Sequence, residues 1–505
     1  MKGKVFLVGA GPGDPGLITV KGLECIKQAD VIIYDFLASE VLLKHAPKNS
    51  EIIYVGKKGS DHTFSQETIN ALIVEKAETG STVIRLKGGD PFIFGRGGEE
   101  AEVLIRAGIP FEIVPGVSSA IAAPAYAGIP LTHRKFASSV AFVTGHEDPT
   151  KNKSNIDWAS LAKGIGTIVF LMGVKNLSQI TERLMSHGMR PDTPAALVRW
   201  GTTAKQVTVT GTLDNIVERK NAADLKPPAV LIVGHVVGLR EKIKWFENRP
   251  LMGRRIVVTR SREQAGELVK RLSDLGAECL ECPTIKVVPT DDVKPLDKAL
   301  DNLASYDWLM FTSVNGVNFF FNRLFEKNKD VRDLHHLRTA AIGPATAKRL
   351  FDFGFKSDIV PESYRAESMV RAFASENITG EKILLPRARE ARQVLTVELA
   401  QMGALVDDVE AYVTNALKDN ADVILKRLKE RTIDMITFTS SSTVKNFRAL
   451  LPSEGLDRLM QGITVASIGP ITADTARNLG FDVHIVAEAY TIPKLCEAIV
   501  KYYYP

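Results

Sequence analysis

Several short stretches of this chain carry residue types suited to proton transfer and to close backbone approach by a ligand. Asp35 follows the apolar run Val31 to Tyr34, Lys57 follows Ile52 to Val55, and Lys87-Gly88-Gly89-Asp90 follows Val83 to Leu86. A carboxylate and an ammonium in one site can accept and donate protons, and paired glycines let backbone approach a ligand that a side chain would hold away. A further stretch, VFLVGAGPGDPGLITVKG from Val5 to Gly22, sets a glycine-rich turn between a strand pattern and a helix pattern. It is not the dinucleotide fingerprint, because the third glycine of G-x-G-x-x-G after Gly9 and Gly11 would stand at position 14, which is Asp14. Each stretch also has a plain structural reading: Asp35 as a turn acceptor, Lys57 as a solvated charge, the glycine turn as a tight connection. What joins them is position, since a parallel sheet gathers the carboxyl ends of its strands on one edge, where α/β proteins bind ligands.

Other patterns carry less. Cys279-Leu280-Glu281-Cys282 has metal-like spacing, but no second Cys pair or nearby His completes four ligands, and a strand would put the two cysteines on opposite faces; no metal is expected. The nine histidines include no H-E-x-x-H pair.

The elements that must position these residues alternate in an α/β pattern. After the first four runs come Val140 to Thr144, Thr167 to Leu171, Ala195 to Val198, Gln206 to Thr210 and Ala229 to Val233, a second lobe starting after Pro115. The lobes are expected over about 1–114 and 115–247. Ile113 to Thr132 is uncharged and long enough to imitate a membrane span, but its three prolines and two glycines make it a buried loop and helix. Phe246 to Gly253 (FENRPLMG) interrupts both periodicities and reads as a linker, centred on 248–253, before a strand at Arg255. The second half repeats itself: Arg260 and Arg387 lie 127 positions apart in similar surroundings, as do Asp307 and Asp434, while Gly343 and Gly469 in the two Ile-Gly-Pro segments lie 126 apart. So long a period is a duplicated domain, with a cleft between two α/β lobes as the expected ligand site.

Length and composition agree. At about 150 residues per domain, 505 residues suggest three to four domains. A net charge of +5 falls short of a nucleic-acid binder and suits anionic small molecules. Four cysteines suggest a reducing compartment, with cytoplasm the default, and the apolar run Val5 to Val8 is too short for a signal-peptide core; no membrane association is expected.

RLKGGDPFIFGRGGEEAE from Arg85, with GAGPGDPGLIT near the start, resembles the S-adenosylmethionine-dependent tetrapyrrole methyltransferases, most closely the uroporphyrinogen-III C-methyltransferases. YDFL around Asp35, VGKKG around Lys57, PGVSSAIAAPAYAGIPLTHR from Pro115, FLMG from Phe170, VRWGTT from Val198 and PPAVLIVG from Pro227 extend the resemblance over about residues 2–247. It implies that Pro12, Gly88, Gly89, Asp90, Ile93, Ser118, Ser119, Met172 and Gly201 line an S-adenosyl-L-methionine pocket. Ser119 stands where relatives often have alanine, and Met172 has core packing as its alternative. Asp35 and Lys57 match the positions of proton acceptor and donor. The implied reaction is methylation of uroporphyrinogen III at C2 and C7 to precorrin-2, releasing S-adenosyl-L-homocysteine without a metal, in siroheme or cobalamin biosynthesis. Arg134 and His133, with Lys57 and Lys58, are candidates to meet the substrate's carboxylates. A homodimer through this half is also implied.

The duplicated half, with FTS from Phe311 and Phe438 and IGPATA and IGPITA from Ile342 and Ile468, resembles uroporphyrinogen-III synthase over about residues 254–505. The resemblance implies flavodoxin-like α/β/α lobes that exchange segments: 254–288 with 414–505, and 291–411 alone. The implied reaction closes hydroxymethylbilane with inversion of its last ring, without a cofactor. Tyr412 matches the family's tyrosine and is the expected acid; Thr346 and Thr472 match cleft threonines, with Ser313 and Ser440 as weaker candidates. Helix capping is the alternative for all four hydroxyls. Arg260, Arg262, Arg387, Arg389 and Arg392 are read either as a positive rim or as solvated helix starts. A non-catalytic tetrapyrrole sensor is the alternative for the whole second half.

Overall fold

The computed structural model describes residues 2–56, 64–146, 155–260, 262–363, 365–389, 391, 393–417 and 421–504. It divides into two compact units, Met1–Arg255 with Arg271–Glu278 and Tyr503–Pro505, and Ile256–Lys270 with Cys279–Tyr502.

In the first unit, β1 (Val5–Gly9), β2 (Val31–Tyr34), β3 (Glu51–Tyr54), β4 (Val83–Lys87) and β5 (Phe111–Val114) form a parallel sheet in the order β3-β2-β4-β1-β5. Helices cover both faces, so the inner strands are largely apolar on both sides, with Arg85 and Lys87 of β4 as buried exceptions. Leu7, Ile33 and Val83 pack with Ile69, Ile73 and Leu104, while Val8, Ile32 and Ile84 pack with Ile26. The second sheet is mixed: β6 (Val140–Thr144), β7 (Thr167–Leu171), β8 (Pro194–Arg199), β9 (Val207–Thr212) and β10 (Ala229–Val233) lie in the order β6-β7-β10-β8-β9, with only β6 and β7 parallel. Nine of these ten strands coincide with the apolar runs in the sequence. The tenth, β5, lies partly in the stretch read as loop and helix; Glu112 between Pro110 and Pro115 hides its pattern. A helix, Ser119–Tyr126, follows it. Among the described residues no helix is long and apolar enough to cross a membrane.

The segment read as a linker is packed into the first unit. Phe246 and Leu251 are 3% and 0% exposed, and Glu247 accepts from Gln206 and Thr208 and pairs with Arg240. Asn, Pro and Gly break regular hydrogen bonding there, but not burial.

In the second unit, β11 (Arg255–Val258), β12 (Glu278–Glu281), β18 (Met435–Phe438), β19 (Thr464–Ser467) and β20 (Ile485–Val486) form one sheet in the order β12-β11-β18-β19-β20. The other holds β13 (Ile285–Pro289), β14 (Trp308–Phe311), β15 (Arg338–Ala341), β16 (Lys382–Ala388) and β17 (Leu405–Ala416) in the order β13-β17-β16-β14-β15. The repeat is visible strand for strand: β12-β11-β18-β19 has the order of β17-β16-β14-β15, each strand starting 126 or 127 positions from its counterpart. The expected edges of the exchanged segments shift. β13 pairs antiparallel with β17, Ile285 to Ala416 and Pro289 to Tyr412, so 285–289 and 414–416 belong to the sheet of the central lobe. Strand pairing overrides a boundary drawn from sequence similarity.

Candidate functional site

The first unit's site begins where three backbone segments converge at the carboxyl edge of the parallel sheet. A Cβ on Gly9 would lie 2.5 Å from the Gly116 Cα, and one on Gly116 would lie 2.4 Å from the Gly89 carbonyl oxygen. Only glycine permits that approach of β1, the loop after β4 and the loop after β5. Gly11 and Gly89 then exchange hydrogen bonds of 3.2 and 2.7 Å, tying the glycine-rich loop to the loop after β4. Asp90 fixes the third side: its carboxylate accepts the N–H groups of Phe92 at 2.8 Å, Ile93 at 3.1 Å and Gly116 at 3.0 Å. Asp90 therefore shapes the loop as well as bordering the space beside it.

That space is a cavity of about 660 Å³, within the usual range for a small organic ligand. Pro12, Gly88, Gly89, Asp90, Ile93, Ser118, Ser119, Met172 and Gly201 all line it, from five separate stretches of chain. Ser118 caps the helix Ser119–Tyr126, accepting from the Ala120 N–H at 3.3 Å, so that helix start faces the cavity. Gly201 is close-packed on Ala123, where a Cβ would approach the Ala123 Cβ to 2.5 Å. Met172 is 51% exposed and belongs to the wall, so core packing is not its role.

Backbone strain is concentrated in the same place. Among the described residues, non-glycine positive φ occurs at Phe94, Arg96, Met172, Trp200 and Thr202, all in or beside the cavity wall, and at three distant positions. Such conformations cost on the order of 1–3 kcal/mol each and persist only where neighbours enforce them. Thr202 shows the enforcement: its N–H donates to Gln206 at 2.9 Å and its hydroxyl accepts from the Asp14 N–H at 3.0 Å. The Asp14 carboxylate in turn accepts from the Tyr126 hydroxyl at 2.8 Å, and burial with this bond raises the phenol's pKa. Phe36 and Trp200 meet edge-on across the wall with centroids 5.7 Å apart.

Asp35 is beside the cavity, at the turn that delivers Phe36 to Ser39 to its wall. Its carboxylate accepts the Leu37 N–H at 3.1 Å and an Arg85 N–H at 3.0 Å. Lys57 and Lys58 lie outside the described residues. Arg134 is exposed in the turn closed by His133 and Ala137 and is not part of the wall. Arg85 and Glu100, buried behind Asp35, were not among the expected residues. The signal in the sequence is Arg85, a charged residue at the centre of a buried parallel strand, whereas Glu100 sits on a helix and gives none.

The second unit presents hydroxyls at helix starts. Tyr412 is 7% exposed, stacks on Phe319 at 5.5 Å, and its hydroxyl is 2.9 Å from the Ser313 hydroxyl. Ser313 also caps its helix, accepting from the Gly316 N–H at 2.9 Å, and Ser440 does the same for Thr443 at 3.3 Å. Thr346 and Thr472 are buried in the first turns of Pro344–Asp352 and Pro470–Asn478. Ser313 and Thr346 lie at the helices that follow β14 and β15, in the same lobe as Tyr412 on β17, whereas Ser440 and Thr472 lie at the helices that follow β18 and β19 of the other sheet. Arg387 is neither rim nor solvated: it is buried and paired with Asp408, its Nε donating at 2.6 Å. Arg389 pairs with Glu410 at 2.8 Å, and burial lowers the pKa of Arg260. Arg392 and the Arg262 side chain lie outside the described residues. Burial pushes the Cys282 thiol up to about 12.

The family models agree with this division. Residues 4–217 match the tetrapyrrole (corrin/porphyrin) methylases, and residues 266–497 match uroporphyrinogen-III synthase HemD. The porphyrin biosynthesis protein HemD of Ruminiclostridium josui is 41% identical over 499 residues, covering 99% of this chain and 98% of that protein. Uroporphyrinogen-III C-methyltransferase of Priestia megaterium is 57% identical over 235 residues, 46% of this chain and 98% of its own. The S-adenosyl-L-methionine-dependent uroporphyrinogen III methyltransferase of Methanosarcina barkeri is 54% identical over 239 residues, 47% of this chain and 94% of its own. With one compact α/β unit matching each model and a relative aligned from end to end, this chain belongs to the family of porphyrin biosynthesis proteins that join a tetrapyrrole methylase to a uroporphyrinogen-III synthase.

Proposed function

We propose that the first unit methylates uroporphyrinogen III at C2 and C7 to give precorrin-2, and that the second forms uroporphyrinogen III from hydroxymethylbilane. The observation that carries the first assignment is that the nine residues implied by the family resemblance line one cavity. Its residues suit S-adenosylmethionine: the glycine junction leaves backbone bare for a polar ligand, and Met172, Ile93 and Ala123 offer apolar surface. When bound, the cofactor supplies a sulfonium methyl that an electron-rich pyrrole carbon can attack directly. The chain's part is alignment and proton removal. The loop fixed by Asp90 and the strained Met172 and Trp200 segments hold the donor in one orientation. Asp35 accepts the ring proton released after carbon–methyl bond formation, and Lys57 is the proton donor.

In the second unit, Tyr412 acts as the weak acid when hydroxymethylbilane loses its hydroxyl, with Ser313 orienting the phenol. Thr346 and Thr472 contact substrate carboxylates. The two activities place the protein in siroheme or cobalamin biosynthesis, and a homodimer through the methylase half and a cytoplasmic location complete the proposal. Incubation of the full chain with uroporphyrinogen III and methyl-labelled S-adenosylmethionine tests the methylase assignment. Two labelled methyls per macrocycle, at C2 and C7, are expected; a single methyl or another position overturns the precorrin-2 assignment.

A further inference from the structure

Arg85 and Lys87 stand two apart on β4 and therefore share one face of the sheet, where both are buried. Glu100, from the helix Gly97–Arg106, is buried against them. Its Oε1 accepts from Arg85 Nε at 3.2 Å, Lys87 Nζ at 2.8 Å and Gln66 Nε2 at 3.2 Å, while its Oε2 is buried with no hydrogen-bond partner among the described residues. Two buried cations beside one buried carboxylate leave an excess of positive charge, and burial followed by Arg85 lowers the pKa of Lys87. Asp35 meets that excess at the exposed end of the network. Every nitrogen of Arg85 is committed: Nε to Glu100, one terminal nitrogen to the Ile33 and Leu86 carbonyls at 3.4 and 3.1 Å, the other to Asp35 at 3.0 Å. With the Leu37 N–H on its other oxygen, the Asp35 carboxylate is held from two sides.

We infer that Arg85 is a positioning residue for Asp35: the guanidinium, anchored from beneath by Glu100, fixes the orientation in which Asp35 receives the substrate's proton. This rests on the reading of Asp35 as proton acceptor. It gives the buried charges a purpose that stability alone does not require, since apolar side chains of similar volume often replace a buried ion pair without loss.

The test compares Arg85→Gln, Arg85→Lys and Asp35→Asn in the full chain, reading kcat, KM for uroporphyrinogen III and S-adenosylhomocysteine affinity by calorimetry. Arg85→Gln is expected to lower kcat by roughly 10- to 100-fold through misplacement of the carboxylate. Affinity and KM should stay within about threefold. Arg85→Lys keeps the charge without the fork; it should lower kcat by about tenfold. Parallel losses of affinity and kcat in Arg85→Gln would overturn the inference, leaving Arg85 as a prop for the cavity wall. Should Arg85→Gln not fold, wild-type kcat in Arg85→Lys overturns it equally. Wild-type turnover by Asp35→Asn would instead remove the reading of Asp35 and this inference with it. An inactive Asp35→Asn beside a fully active Arg85→Gln overturns the positioning role alone.

Discussion

In the first unit, five stretches of chain bring candidate residues to one cavity, locked by a glycine junction and by Asp90 accepting three N–H groups. In the second, the candidate residues are side-chain hydroxyls, four at helix starts and Tyr412 on β17, divided between two lobes, and Tyr412 pairs with Ser313. A small cofactor is oriented by a preformed backbone surface, whereas a long flexible tetrapyrrole precursor offers carboxylates that hydroxyls and arginines can reach. The first unit should therefore fail when backbone is pushed apart, and the second when a single polar atom is removed.

The largest effect expected from this contrast follows Gly116→Val, whose Cβ would overlap the Gly89 carbonyl at 2.4 Å. Methyl transfer and S-adenosylhomocysteine binding should both be lost, read by label transfer and calorimetry, while formation of uroporphyrinogen III continues. Next is Asp90→Asn, which replaces a charged acceptor of three N–H groups by a neutral amide. A loss of about 2–3 kcal/mol, or roughly 30- to 150-fold in S-adenosylhomocysteine affinity, is expected by calorimetry. In the second unit Tyr412→Phe should slow ring closure by roughly 100-fold, as removal of a general acid does, with methyl transfer unchanged. Methyl transfer slowed to the same degree would erase the contrast. Smallest is Ser440→Ala, which removes a helix cap on the sheet without Tyr412. It should cost about 1 kcal/mol in denaturant unfolding and leave the closure rate within about twofold.

How much of this was legible in the sequence differs between the units for a physical reason. Strands buried on both faces make unbroken apolar runs, so β1 and β2 could be read directly, and glycines in positions that exclude a Cβ stood out as motifs. The duplication was equally plain, because Arg260 and Arg387, or Asp307 and Asp434, recur in similar surroundings. What stayed hidden depends on partners distant along the chain. Pairing of β13 with β17 moved a domain edge; burial of Phe246 and Leu251 turned a linker into part of a unit. Arg387 resembled a rim residue until Asp408 appeared beside it. Arg85 and Glu100 lie 15 residues apart, and only the packing of a helix on β4 joins them.

The measurement that bears most directly on the account is a coupled assay in which the full chain receives hydroxymethylbilane with and without S-adenosylmethionine. Uroporphyrinogen III should accumulate without the methyl donor and be converted to its C2,C7-dimethylated product when the donor is added. Type I macrocycle alone in the first case, or unmethylated uroporphyrinogen III in the second, would contradict the assignment of two successive activities to one chain.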